Sequence, residues 1–210
     1  VLCSAFGMIH GKKRQPIIMI DPAGHARDEG RKLRNEYERG ATFRLAEDLS
    51  KSLQERYDVR VIITRNPGEV VLPYQNASFS NRASADLFIR LHLYKESDLK
   101  PKIFLYHLVL NSFVDFASHQ YDPLGFIPVH EAHISNIHRT RQLGLQMKNI
   151  LSADCYQRHF DCKGLIGLPL KDLIGIQAPA ITIECGIYED NQWRQLLAPL
   201  VESLRIVQDL

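Results

Sequence analysis

Short apolar runs that alternate with stretches of helical period constrain this chain more than any other feature. Residues 17–20 (IIMI), 59–64 (VRVIIT), 86–93 (DLFIRLHL), 102–110 (KIFLYHLVL) and 180–184 (AITIE) are β-branched or aliphatic and read as strands. Residues 34–57 read as a helix, because Phe43, Leu45, Leu49 and Leu53 keep the three-to-four spacing of a buried stripe. Helical spacing returns at 76–85, at 140–151 through Leu143, Met147 and Ile150, and at 193–207. Such alternation predicts a single α/β domain: a mixed, mainly parallel sheet of about six strands, flanked by helices on both faces. Residues 111–137 carry Pro123, Gly125, Pro128 and three histidines without a sustained period.

The length of 210 residues suits one domain with a substantial core. Residues 1–15 read as an N-terminal extension or linker and 16–210 as the folded domain, with a candidate insertion at about 112–137. A net charge of +2 is too small to argue for nucleic acid or an acidic membrane surface. No apolar run reaches the roughly 20 residues that a membrane span needs. The apolar stretch VLCSAFG, with Lys12, Lys13 and Arg14 close behind, is either the remainder of an export signal or simply N-terminal sequence. Cys155 and Cys162 flank a polar stretch (CYQRHFDC) and are either bridged or two free thiols. His159 between them lacks the CxxC context of a zinc site.

Active residues of open α/β sheets gather at the carboxyl ends of strands. His25 follows the first strand (IDPAGH), His92 ends the third (ADLFIRLH) and Glu184 ends the last (PAITIE). The helix after His25 brings Glu38 toward the same end, although Glu36 is an equal candidate on chemistry alone. Two imidazoles and a carboxylate make a three-ligand zinc site with a fourth position for water, and a second carboxylate can take that water's proton. Each residue also has an ordinary alternative: a hydrogen-bonded surface histidine, a solvated helix charge, a glutamate paired with an arginine.

Four ordered blocks add to this reading. IIMIDPAGHARDEG, ERGATFRLAEDLSKSL, SNRASADLFIRLHLY and PAITIECG resemble the zinc-dependent N-acetylmuramoyl-L-alanine amidases of bacterial cell-wall metabolism, the amidase-3 family, from about Ile17 to the C-terminus. The resemblance implies one zinc ion held by His25, Glu38 and His92. The apolar register Ala41, Phe43, Leu45, Ala46, Leu49, counted from Glu38, selects it over Glu36. It implies Glu184 as general base and acid: the residue takes a proton from a zinc-bound water that attacks the amide, then returns it to the departing amine. The implied substrate is the amide joining N-acetylmuramic acid to L-alanine in peptidoglycan. The implied process is wall degradation, including that of cell division, in the periplasm or at the cell wall. The alternative is a non-catalytic wall-binding or regulatory protein that retains the fold; a zinc peptidase acting on another amide is a third reading.

The chain departs from the family pattern near its reactive residues. GHGG becomes Gly24-His25-Ala26-Arg27, and a small Ser and an Asn around the second histidine become Arg90 and Tyr94. An Arg usual before SNRASADLF is absent, with Gln75 or Asn76 near its place, and Asp190 stands where the family tends to have Asn. Arg90 and Arg82, with Lys95, are candidates for binding stem-peptide carboxylates, against the alternative of surface ion pairs. His130, His133 and His138 (HEAHISNIH) lack the HExxH spacing of helical zinc proteases and read as a polar loop or helix entrance. Some family members insert a lid here that supplies a blocking carboxylate. Glu131, with Asp115 behind it, is the candidate, and such a lid would imply an activator protein. Cys185 beside Glu184 reads as a small buried filler.

Overall fold

The computed structural model describes residues 14–110 and 127–209. Its centre is a six-stranded sheet in the order β2-β1-β3-β6-β4-β5. The strands are β1 (Ile17–Pro22), β2 (Arg60–Ile63), β3 (Leu87–Lys95), β4 (Lys102–Leu108), β5 (Asp161–Leu168) and β6 (Ala180–Ile187). β1, β2, β3 and β6 run parallel, while β4 pairs antiparallel with β6 and parallel with β5. The helices are α1 (Glu38–Arg56), α2 (Pro73–Ala83), α3 (Ile137–Leu151) and α4 (Arg194–Ser203).

Strand alternation divides the core between the two faces of the sheet. Ile18, Ile20, Leu87, Ile89, Leu91 and Leu93 pack with residues of α1, α3 and α4, whereas Met19 and Phe88 pack on the other face with Ala77 of α2. Central strands buried on both faces therefore read as nearly continuous apolar runs. Past Ile89 the second face turns polar: Leu91 and Leu93 stay buried, while Arg90, His92 and Tyr94 are only partly covered. This change places the polar ends of β1, β3 and β6 on one shared surface.

Several element boundaries differ from those read in the sequence. α1 starts at Glu38 rather than residue 34, because the backbone N–H groups of Arg34 and Asn35 bind the two oxygens of Asp190, each at 2.8 Å. α4 ends at Ser203 and continues as a 3-10 turn, Leu204–Asp209. β5 has no counterpart among the runs identified in the sequence, since only Gly164 of its eight residues is buried. Cys155 and Cys162 are free thiols. Residues 111–126, most of the candidate insertion and Asp115 with them, lie outside the described residues.

Candidate active site

Two glycines shape the loop that leaves β1. Gly24 has φ +76°, and a Cβ there would stand 2.8 Å from the Arg39 Cβ. Gly30 has φ +69°, and a Cβ there would come 2.8 Å from Glu38 Oε2. Only a residue without a side chain fits such a conformation and such a gap without strain. Between them, His25 and Asp28 exchange backbone hydrogen bonds of 2.7 and 3.0 Å, which fold the loop back on itself. The loop thus brings His25 beside the first turn of α1.

Glu38 is 2 % exposed. Its Oε1 accepts the Leu93 N–H at 3.0 Å and lies 2.8 Å from His92 Nδ1, and its Oε2 accepts the Arg31 N–H at 3.0 Å. Burial works against the charged form, but the His92 contact and the two backbone donors outweigh it and hold the carboxyl below its ordinary pKa. Glu36 instead pairs with Arg44 at 2.5 Å.

His25, Glu38 and His92 line one cavity of about 250 Å³, together with Asp21, Arg90 and Asp172. His25 Nδ1 accepts the Arg27 N–H at 3.2 Å. Among the described residues no three His, Cys, Asp or Glu side chains lie close enough together to hold a metal as they stand. By type, the donors fit: two imidazoles and one carboxylate on one cavity wall are those of a three-ligand zinc site. The carboxylate is already ionised and aimed by the backbone. The donor set therefore suits zinc.

A second cavity of about 440 Å³ adjoins the first, sharing His92 and Asp172 with it and lined also by Arg31, Tyr106, Leu168, Leu170, Lys171 and Glu184. Glu184 stands opposite His92 in the β3–β6 register, so both side chains leave the sheet on one face. Arg31 Nη1 donates to Glu184 Oε1 at 2.5 Å and the Tyr106 hydroxyl to Oε2 at 2.9 Å. Burial, with the Glu184 contact and charge added, pushes the Tyr106 phenol up to about 12, so it stays a donor near neutral pH. Cys185, one residue on, is fully buried and its thiol is pushed up to about 12, which suits a filler and not a nucleophile.

The other residues singled out in the sequence sit elsewhere or act differently. Arg90 is mostly buried, lines the first cavity and donates to Asp21. Arg82 is exposed near the end of α2 and lines neither cavity. Lys95 is exposed at the end of β3. Glu131 is buried in a 3-10 turn, Val129–Glu131, with His130 Nε2 3.4 Å from its Oε1. Arg31, Tyr106 and Asp172 were not foreseen. Tyr106 had a readable signal: it shares its side of β4 with Phe104, opposite the buried Ile103 and Leu105.

Solved structures show the same architecture. An N-acetylmuramoyl-L-alanine amidase from Clostridium difficile 630 matches with a TM-score of 0.66 at 20% identity, covering 93% of this chain and 97% of that one. The N-acetylmuramyl-L-alanine amidase Ami1 of Mycobacterium smegmatis matches at 0.63 and 12%, covering 92% and 97%. The CwlD amidase of Clostridioides difficile, solved in complex with the GerS lipoprotein, matches at 0.60 and 13%, covering 93% and 97%. A search of curated proteins found no match. At these identities the structures establish the fold alone, and the sequence supplies the rest. The family model for N-acetylmuramoyl-L-alanine amidase, Amidase_3, matches residues 18–199, nearly the whole described sheet and its helices, and the chain belongs to that family.

Proposed function

We propose that this chain hydrolyses the amide between N-acetylmuramic acid and L-alanine in peptidoglycan, with one zinc ion held by His25, Glu38 and His92. The observation that carries this reading is the pairing of His92 with Glu184 across β3 and β6, where the donor cavity and the larger one share His92. Zinc, when bound, supplies Lewis acidity that lowers the pKa of water toward ~7 and polarises a carbonyl.

The chain's own residues supply the proton chemistry. Glu184 receives a proton from the attacking water on one carboxylate oxygen and delivers it to the nitrogen of the departing L-alanine. Arg31 and Tyr106 each hold one of its oxygens, fixing the carboxylate beside His92. Leu168 and Leu170 give the second cavity an apolar wall, and Lys171 gives it a cation. That combination suits a peptide that carries carboxylates. The site of action is the periplasm or the cell wall. A partner protein that acts through the segment around Glu131 is part of the same reading, in line with the relative solved with a lipoprotein.

A second reading, wall binding without turnover, draws on Arg90, whose guanidinium faces the second nitrogen of His92. Digestion of purified sacculi by the zinc-loaded chain, with mass spectrometry of the soluble products, separates the readings. Free stem peptides beginning with L-alanine are expected. Cuts within the peptide would indicate a peptidase, and no release would favour binding alone.

A further inference from the structure

The Arg90 guanidinium is enclosed by three groups on the floor of the donor cavity. Nη1 donates to Asp21 Oδ2, Nη2 lies 3.4 Å from Asp172 Oδ2, and Nε lies 3.2 Å from His92 Nε2. Its side chain is 15% exposed and that of Asp21 2%. Asp21 and Arg90 are also in register between β1 and β3, so the backbone holds the pair together. Asn76 donates at 2.8 Å to the same Asp21 oxygen. Asn76 and Arg90 thus meet at one carboxylate.

A guanidinium has only donors and keeps its protons in proteins. At the Arg90–His92 contact, Nε therefore donates and His92 Nε2 accepts. A neutral imidazole that accepts at Nε2 carries its proton on Nδ1. Nδ1 faces Glu38 Oε1 at 2.8 Å, an oxygen that can only accept. Both ring nitrogens of His92 are committed: one lone pair to Arg90, one proton to Glu38.

A metal can approach His92 by either nitrogen, and each route meets Arg90. Ligation through Nε2 displaces the Arg90 Nε–H from the lone pair it uses. Ligation through Nδ1 moves the ring proton to Nε2, where N–H then faces N–H. In both cases a second cation also enters beside the guanidinium. We infer that Arg90 is a built-in competitor of the metal for His92, one that holds the ring by a hydrogen bond and must withdraw from it when a metal binds. This rests on reading His92 as a ligand.

Zinc affinity, measured on the full chain by competition with a chromophoric chelator, tests the inference. Arg90→Ser is expected to bind zinc about ten- to hundredfold more tightly than the wild type, the range over which partners of metal ligands tune affinity. Arg90→Lys guards against a folding defect, because it keeps a positive charge for Asp21 without the Nε donor; it too should bind more tightly. Nitrogen NMR of the metal-free wild type should show His92 protonated at Nδ1. Wild-type binding that is lost in His25→Ala, but unchanged or weaker in both Arg90 variants, overturns the role of Arg90 and leaves the zinc site standing. Absence of zinc binding in the wild type and in both variants overturns the two together.

Discussion

The two cavities that meet at His92 are held by different kinds of group. In the first, the carboxylates of Asp21 and Glu38 are buried, and Glu38 takes backbone N–H groups of Arg31 and Leu93. In the second, Glu184 is held by two side chains, and Arg31, its tightest partner, is 48% exposed. Backbone donors cannot change rotamer, whereas a long exposed side chain is restrained only at an entropic cost. In the first region the Glu38 carboxylate is built to keep one arrangement. In the second, the carboxylate is held by side chains that can themselves move.

The sharpest way to break this contrast is Glu184→Gln. It should lower the hydrolytic rate by about 10²–10⁴-fold, the usual worth of a positioned acid–base group, while zinc content and melting temperature stay close to wild type. Turnover at the wild-type rate would remove Glu184 from the chemistry.

Glu38→Gln should do the reverse and act first on the fold. It turns one acceptor oxygen into a donor that faces buried N–H groups, and should cost about 1–3 kcal/mol in denaturant unfolding of the metal-free protein. Because folding holds the Glu38 carboxyl below its ordinary pKa, its contribution is present above the unfolded value and is lost as pH falls through the folded one. The substitution should therefore flatten the acid limb of the stability curve. An unchanged limb would show that Glu38 is no better held than Glu184.

Arg31→Met should have only a small effect on stability, about 0.2–1 kcal/mol, as expected of a half-exposed ion pair. Its backbone N–H, the donor to Glu38, is retained. A larger loss in thermal unfolding would mean that the second region is as rigidly built as the first.

The central part of the fold was legible because β1, β6 and the first part of β3 are buried on both faces and their sequences there are largely apolar. β5 was not, since an edge strand that buries only Gly164 has no need of alternation. Among the candidate site residues, His25, His92 and Glu184 were marked by their place at strand ends. Arg31 could not be, because its role depends on a loop fold set by Gly24 and Gly30 and on a partner 153 positions away. Arg90 was visible as a charge, but its burial against Asp21 follows from strand register, which no local pattern displays.

The bond from the Leu93 N–H to Glu38 has a consequence for how this domain can drift. β1 pairs with β3 as far as Pro22 and Leu91, and Ala23 adds one more bond, to the Leu91 carbonyl, before the chain turns away. Leu93, two residues further on, finds the Glu38 carboxylate instead. A side-chain oxygen thus serves as the next rung of a strand that has already ended. A descendant that replaced Glu38 would also have to mend its sheet.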